Sequence, residues 1–207
     1  ADHATDGQVL GAAGPHHLGQ AHAQVLRDFS RNAHRAARAA VLVGGLDADR
    51  SWWYRFSAGT AVSPIGRART LPSPGSSPDS LRLAFASCQH YSAGFYGAWR
   101  QVAERDLDAV VFLGDYIYEI GEGPLGVRWE PFSVALTLDD YRKRYRLYRS
   151  DPDLQAAHAA HPWTVVWDDH EVFNDHDAAL LAAAPARAGA AHQAWFEYLP
   201  VWPTDGT

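Results

Sequence analysis

The stretch DAVVFLGDYIYE, residues 108–119, is an apolar run that ends in polar and aromatic side chains. Two other stretches have the same form, LRLAFASCQ at 81–89 and PWTVVWDDHE at 162–171. Continuous runs of apolar and β-branched residues are typical of strands that are buried on both faces of a parallel sheet. The sequence therefore predicts an α/β fold with three parallel strands and helices between them.

Polar side chains follow each of these three runs. In open α/β sheets, ligands bind outside the carboxyl ends of the strands. A thiol, several carboxylates and an imidazole gathered at one sheet edge need a cation to neutralise them, so we predict a metal centre there. The residues expected at this edge are Cys88, Asp115, Tyr118, Asp168, Asp169 and His170.

The first two runs supply three candidate metal ligands. Asp115 leaves the tip of its strand and could bridge two metals, and Tyr118 would offer a hard oxygen suited to a trivalent ion such as Fe³⁺. Cys88 would bind as a thiolate. Taken alone, Cys88 is also explained as a buried structural thiol; beside Asp115, the ligand interpretation is favoured.

The DDHE segment after the third run carries the predicted catalytic residues. Asp168 could equally cap a following helix, whereas Asp169 is predicted as both a metal ligand and a catalytic residue. His170 would face the substrate as a proton donor or charge stabiliser. Glu171 could orient its neighbours, and Asn174 could add a neutral oxygen ligand. Together these groups suit metal-assisted hydrolysis.

Composition limits the class of protein. The 207 residues suffice for one good-sized domain, or for a small module plus a larger domain, and the apolar content of 47% excludes wholesale disorder. The net charge of −6 argues against a nucleic-acid partner. No apolar stretch reaches the roughly 18 residues of a membrane helix, and no signal peptide is apparent. The single cysteine permits no intrachain disulfide.

The chain divides into three parts by pattern. Residues 1–72 are predicted to form a partial antiparallel β-sandwich module, with strands around 41–43 and 52–56 and no firm period in the first thirty residues. Residues 73–80 are rich in Pro, Gly and Ser and are predicted to be a linker. Residues 81–207 would form the α/β part.

Helices are expected between and after the apolar runs. Their predicted spans are 95–105, 153–160 and 186–198, and a further helix should begin after Thr137. Thr137 followed by Asp140 resembles a capping box. Tyr141, Tyr145 and Tyr148 fall on one stripe of that helix, which predicts core packing rather than catalysis.

The segments SCQ, GDYIYE and TLDDYRKRYRLYRSDPDLQAAHAAHPWTVVWDDHEVFND resemble the PhoD-type alkaline phosphatases and phosphodiesterases, a branch of the calcineurin-like metallophosphatases. This resemblance spans about 81–200. The earlier GLDADRSWWYRF and GRARTLPSPG resemble the fibronectin-like β-sandwich module that precedes the catalytic domain in that family. The resemblance implies hydrolysis of phosphomonoesters or phosphodiesters and an exported, extracytoplasmic protein.

The same resemblance implies a ligand set for Fe³⁺ and Ca²⁺, with other divalent metals as alternatives. Cys88, Asp115 and Tyr118 would hold the iron. Asp115 and Asp169 would contribute to calcium, together with Asn174, and His170 would lie near the phosphate.

The sequence departs from the family pattern in two places. The family completes its site with a later Gly-Asp-x-His motif, which this chain does not contain, so residues 81–207 are expected to be a truncated first half of the metallophosphatase sandwich. Trp202 stands where a basic, phosphate-binding residue is expected.

Two other functional classes compete with the hydrolase. One is a truncated, non-catalytic metal-binding or adhesion module. The other, a Rossmann-type nucleotide binder, is excluded because no G-x-G-x-x-G follows the first strand. Arg128, Arg142 and Arg144 are candidates for substrate contacts, but are better interpreted as solvated or packing residues. The sequence leaves open the preferred ester and the oligomeric state.

Overall fold

The structure is a computed structural model that describes residues 7–10, 22–28, 39–58, 60–121, 125–131 and 133–201. The expectation for Trp202 lies outside these residues.

The strands before residue 70 pair only in antiparallel fashion within the described segments. One sheet is built around β4, which pairs with β1, β5 and β6, and β2 pairs separately with β3. The strands predicted around 41–43 and 52–56 are confirmed, whereas β1 and β2 lie where the sequence shows no firm period. The bounds are β1 Gly7–Leu10, β2 His22–Asp28, β3 Ala39–Gly44, β4 Ser51–Ala58, β5 Ala61–Val62 and β6 Gly66–Arg69.

The three apolar runs form one parallel sheet, as the sequence predicts. The strands are β7 Leu83–Ala86, β8 Ala109–Phe112 and β9 Trp163–Val165, in the order β7-β8-β9. Both pairings are parallel. The carboxyl ends of all three strands therefore meet at the same edge.

Helices cover one face of this sheet. Their bounds are α1 Gly97–Ala103, α2 Leu138–Tyr148, α3 Pro152–Ala160, α4 Ala178–Ala183 and α5 Pro185–Tyr198. The predicted tyrosine stripe of α2 is confirmed as core packing, since its three tyrosines are fully buried with the β8 side chains. None of the helices in the described segments is long and apolar enough to cross a membrane.

Helix starts follow from local side-chain chemistry. Thr137 and Asp140 form the predicted capping box of α2, in which each side chain accepts a hydrogen bond from the other residue's backbone N–H. Asp151 caps α3 by accepting from the N–H groups of Asp153 and Leu154, and Pro152 occupies the first turn.

The expectation that the parallel strands are buried on both faces is wrong for the described part of the chain. Phe85 of β7 is 64% exposed and Val166, just after β9, is 49% exposed. The neighbouring residues Ala84 and Ala86 pack against the core instead. The reason is that side chains alternate across a strand, and the core cluster lies on only one side of this sheet.

Two arginines of β6 connect the antiparallel sheet to the start of β8. Arg67 Nη1 donates to the carbonyl oxygens of Leu107 and Ala160, at 3.3 and 3.4 Å. Arg69 Nη1 lies 2.5 Å from Oδ1 of the buried Asp108. β8, the strand that precedes Asp115, is therefore held at its amino end by the N-terminal sheet.

His158 on α3 should make stability depend on pH. Its ring stacks on Trp163 with centroids 3.8 Å apart, and Nε2 lies 2.8 Å from the Tyr116 hydroxyl. Burial, with a smaller effect from the charge of Arg149, holds the pKa of His158 well below its ordinary 6.5. Below pH 6.5 the unfolded chain takes up a proton that the folded chain excludes. Stability is thus unaffected above that pH and is lost below it, by ~1.4 kcal/mol per pH unit.

Urea unfolding between pH 8 and pH 5 measures this loss. We expect the wild type to lose ~1.4 kcal/mol per pH unit relative to His158→Gln below pH 6.5, whatever the substitution does to stability at pH 8. Equal slopes in the two proteins would exclude His158 as the source.

Candidate metal centre

Three predicted site residues from two strand ends converge at the carboxyl edge of the sheet. Asp115 follows β8, and Asp169 and His170 follow β9. One carboxylate oxygen from each aspartate and one ring nitrogen of His170 all lie within 4.8 Å of one another. Cys88 follows β7 and is exposed. The parallel order of the strands brings these residues together across more than fifty positions of sequence.

The backbone at this edge adopts conformations that side chains disfavour. Gly114 has φ +105, and a Cβ there would lie 2.6 Å from both Cβ and N of Asp168, so only glycine permits this approach of the two loops. Cys88 and Asp115 both have φ +57, in the left-handed region. Hydrogen bonds from Cys88 N to Gly114 O and from Gln89 N to Asp115 O hold the two turns together.

One carboxylate oxygen of Asp115 is buried without a hydrogen-bond donor among the described residues. The residue is 6% exposed, and its Oδ2 accepts a 2.9 Å hydrogen bond from the Tyr118 hydroxyl. Its Oδ1 is buried and has no partner among the described residues. Burial raises the pKa of Tyr118 above its ordinary value, and hydrogen bonds with Asp115 and Cys88 raise it further. A buried carboxylate oxygen without a donor is costly, and a cation would satisfy it.

The turn after β9 carries the second carboxylate. Asp169 Oδ2 accepts from the backbone N–H of Asp175, whose φ is +54. Burial acts to raise the pKa of Asp169, but this hydrogen bond and the nearby His170 outweigh it and hold the pKa below its ordinary value. Asn174 lies on the same turn, is exposed, and donates from Nδ2 to Asp175 Oδ2 at 2.6 Å.

His170 is held by a carboxylate and by an aromatic ring. Its Nδ1 lies 2.7 Å from Glu119 Oε2. The Tyr118 ring lies between two imidazoles, with centroids 4.2 Å from His170 and 4.3 Å from His90. Burial acts to lower the pKa of His170, but the hydrogen bond to Glu119 and the neighbouring carboxylates raise it above its ordinary value.

Glu171 connects the two loops from the β9 side. Its carboxylate is buried, with Oε1 accepting from the N–H of Tyr116 at 2.6 Å and Oε2 from the N–H of Asp168 at 3.0 Å. Burial raises the pKa of Glu171 to about 7. The alternative that Asp168 caps a helix is wrong, because the next helix is α4 and its cap is Asp177.

The donor set fits the metals expected from the sequence. A phenol and a thiol beside a carboxylate are ligand types that a trivalent iron accepts, and the carboxylates with an amide oxygen suit Ca²⁺. Asp115 belongs to both groups of proposed ligands, and its Oδ1 has no hydrogen-bond partner among the described residues. Cys88 is exposed and lies outside the cluster formed by Asp115, Asp169 and His170.

Comparison with known proteins identifies the family. The family model described as PhoD-like phosphatase matches residues 83–207. The chain belongs to the PhoD-like phosphatase family. The model of the PhoD-like phosphatase N-terminal domain matches residues 19–72.

Two known PhoD-type proteins are similar to this chain. Alkaline phosphatase D of Bacillus subtilis (strain 168) is 43% identical over 172 residues, which cover 78% of this chain and 30% of that protein. A solved structure described as "Structure of PhoD" has a TM-score of 0.73 and 38% identity, covering 82% of this chain and 37% of its own. The chain thus spans well under half the length of either relative.

Within this PhoD-like site, sequence reasoning missed three residues. Glu119 and His90 contact His170 and Tyr118 as described above. Gln89 is buried and links the first two loops, because its Nε2 donates to Tyr116 O and its Oε1 accepts from the Trp99 indole. The available signal was position: Gln89 and Glu119 close two of the three apolar runs.

The three candidate arginines are ion-paired rather than free for a substrate. Their partners are Asp151 for Arg128 at 2.7 Å, Glu197 for Arg142 at 2.5 Å, and Glu130 for Arg144. The interpretation as packing residues agrees with these contacts.

Proposed function

We propose that this chain carries part of the active site of a metal-dependent phosphoric ester hydrolase that releases phosphate from monoesters or diesters. The observation that carries the proposal is the approach of Asp115, Asp169 and His170 within 4.8 Å, with a buried, unpartnered oxygen on Asp115. Membership of the PhoD-like phosphatase family supports the choice of substrate class.

In this proposal the chain's own residues hold cations and orient the ester. Cys88, Asp115 and Tyr118 would hold Fe³⁺, and Asp115 with Asp169 and Asn174 would hold Ca²⁺. When bound, such cations neutralise phosphoryl charge and lower the pKa of water. His170, whose Nδ1 faces Glu119, is left with Nε2 to face a phosphoryl oxygen. Its raised pKa favours a proton there, which would stabilise negative charge on that oxygen.

We also propose that the antiparallel strands before residue 70 belong to a fibronectin-like β-sandwich, that 73–80 is a linker, and that 81–207 is the first half of a metallophosphatase domain. The N-terminal match over 19–72 and the absence of regular structure at 73–80 support this division. An extracytoplasmic location is a proposal that rests on the family alone.

Metal reconstitution with a visible spectrum tests the proposed function. We expect the chain loaded with Fe³⁺ and Ca²⁺ to show a tyrosinate-to-iron charge-transfer band and to hydrolyse p-nitrophenyl phosphate or its diester. Tyr118→Phe should abolish the band completely, because it removes the phenolate oxygen. Tyr198→Phe is the matched control and should keep the band, because it removes a hydroxyl on α5 that accepts from Arg146 of α2.

The outcomes separate the competing classes. A band together with turnover supports the hydrolase. A band without turnover would favour the second candidate, a non-catalytic metal-binding module. Absence of bound metal in the wild type would contradict the metal centre in this chain.

A further inference from the structure

We propose that Glu119 is a positioning residue that sets the tautomer of His170, with the hydrogen on Nδ1 and Nε2 left free for the candidate site. The proposal rests on the proposed function, since it adds a residue to that site. Glu119 would touch neither metal nor substrate and would act through His170 and the turn that carries Asp169.

Both carboxylate oxygens of Glu119 are engaged, each by a different part of the opposite loop. The residue is 3% exposed and lies four positions after Asp115. Its Oε2 lies 2.7 Å from His170 Nδ1, and its Oε1 accepts a 2.9 Å hydrogen bond from the backbone N–H of Asn174. One side chain from the β8 loop therefore fixes two points of the β9 loop.

This contact determines the protonation pattern of His170. An ionised carboxylate only accepts hydrogen bonds, so the ring nitrogen facing Glu119 must carry the hydrogen. In the neutral ring, Nε2 then keeps its lone pair and faces away from Glu119. The stack on Tyr118 at 4.2 Å fixes the ring plane. Imidazoles at metal sites are commonly oriented by such a carboxylate, which sets the tautomer and raises ligand basicity.

Glu171 also links the two loops, but from the β9 side, so it serves as a comparison for Glu119. It extends from the β9 loop to the backbone N–H of Tyr116 in the β8 loop. The two buried carboxylates thus cross the gap in opposite directions, and they fix the spacing of Asp115 and Asp169. The Glu171 carboxylate is directed at backbone N–H groups rather than at His170. A change there would loosen the same loops without acting directly on the imidazole.

Glu119→Gln separates positioning from general support. An amide has one acceptor oxygen and one NH₂ donor, so the substituted side chain cannot accept from both Nδ1–H of His170 and N–H of Asn174. We expect the His170 ring to lose its preference for the Nδ1–H tautomer and to shift toward Nε2–H. Glu119→Asp, which keeps the carboxylate, should retain Nδ1–H. Glu171→Gln is the matched control and should leave the tautomer unchanged.

Two-bond ¹H–¹⁵N NMR of the labelled chain reads the tautomer directly, without any metal. The spectrum is recorded at a pH where the imidazole is neutral. Because the chain has 11 histidines, the His170 signals are assigned by comparison with His170→Gln. In parallel, calorimetric titration with Ca²⁺ should show a roughly 10- to 100-fold weaker affinity for Glu119→Gln than for the wild type.

The results decide the proposal independently of catalysis. An Nε2–H tautomer in the wild type, or an unchanged Nδ1–H tautomer in Glu119→Gln, would overturn it. The same shift in Glu171→Gln would reduce Glu119 to general structural support and also overturn it. If Glu119→Gln does not fold, the wild-type and Glu119→Asp spectra decide. The expected tautomers in a chain that binds no Ca²⁺ and hydrolyses no ester would support the positioning role and contradict the proposed function.

Discussion

Asp115→Asn removes metal binding while leaving the metal-free protein at least as stable as the wild type. The carboxylate is the one that both proposed metals share, and its Oδ1 has no donor among the described residues. At 4 Å and an effective dielectric constant near 20, one unit charge pair is worth ~4 kcal/mol. Losing the negative charge should therefore weaken cation affinity by roughly a thousandfold.

The expected stability of metal-free Asp115→Asn has a separate cause. In the metal-free protein, Asp115 lies close to Asp169, and two neighbouring carboxylates repel each other. Asn removes that repulsion and supplies an NH₂ donor beside Asp169. It also tolerates the φ of +57 at this position, because Asn and Asp are the side chains most often found in the left-handed region. Alanine would lack that tolerance, so Asn is the better substitution.

Metal analysis and thermal unfolding, with and without added Fe³⁺ and Ca²⁺, check both halves. The wild type should gain stability on adding metal and Asp115→Asn should not. Asp106→Asn, an exposed aspartate paired with Arg82, is the control and should bind metal as the wild type does. Unchanged metal content in Asp115→Asn would contradict the assignment of Asp115 as a ligand shared by both metals.

Elements with a local cause were predictable from the sequence. The parallel strands follow from continuous apolar runs, and the start of α2 follows from the side chains of Thr137 and Asp140. Strands β1 and β2 were not predictable, because their residues show no firm period, and β1 also pairs with the distant strand β4. The prediction that the parallel strands are buried on both faces was wrong, because an apolar run does not indicate whether other elements cover the second face of the sheet.

The candidate site divides in the same way. The proximity of Asp115 and Asp169 could be predicted, because the carboxyl ends of neighbouring parallel strands lie at the same edge of the sheet. Glu119 and Gln89 could not be assigned roles, since their partners depend on how the turns approach each other. That approach depends on Gly114 and on two non-glycine residues with positive φ. Left-handed backbone at Cys88 leaves no mark in composition or spacing.

Arg144 holds the loop after β8 from within the core, and Arg144→Met should lower the free energy of unfolding by about 3–5 kcal/mol. Arg144 and Glu130 form a fully buried ion pair, so removing one partner leaves the other charge buried. Arg144 also donates to the carbonyl oxygens of Ser133 and Glu119, at 2.6 and 3.3 Å. The loop that carries Glu119 should therefore loosen as well.

Urea unfolding of three variants isolates the buried charge as the cause. Lys143→Met is the matched control, because the neighbouring Lys143 forms exposed ion pairs with Asp139 and Asp140, and its loss should lower the free energy of unfolding far less than Arg144→Met does. Arg144→Met combined with Glu130→Gln should recover part of the loss, since no charge then remains unpaired at that pair. A double variant no more stable than Arg144→Met alone would assign the loss to the backbone contacts of Arg144. The loop after β8 would then depend on the guanidinium as a donor to Glu119 and Ser133, and the charge of Glu130 would be incidental.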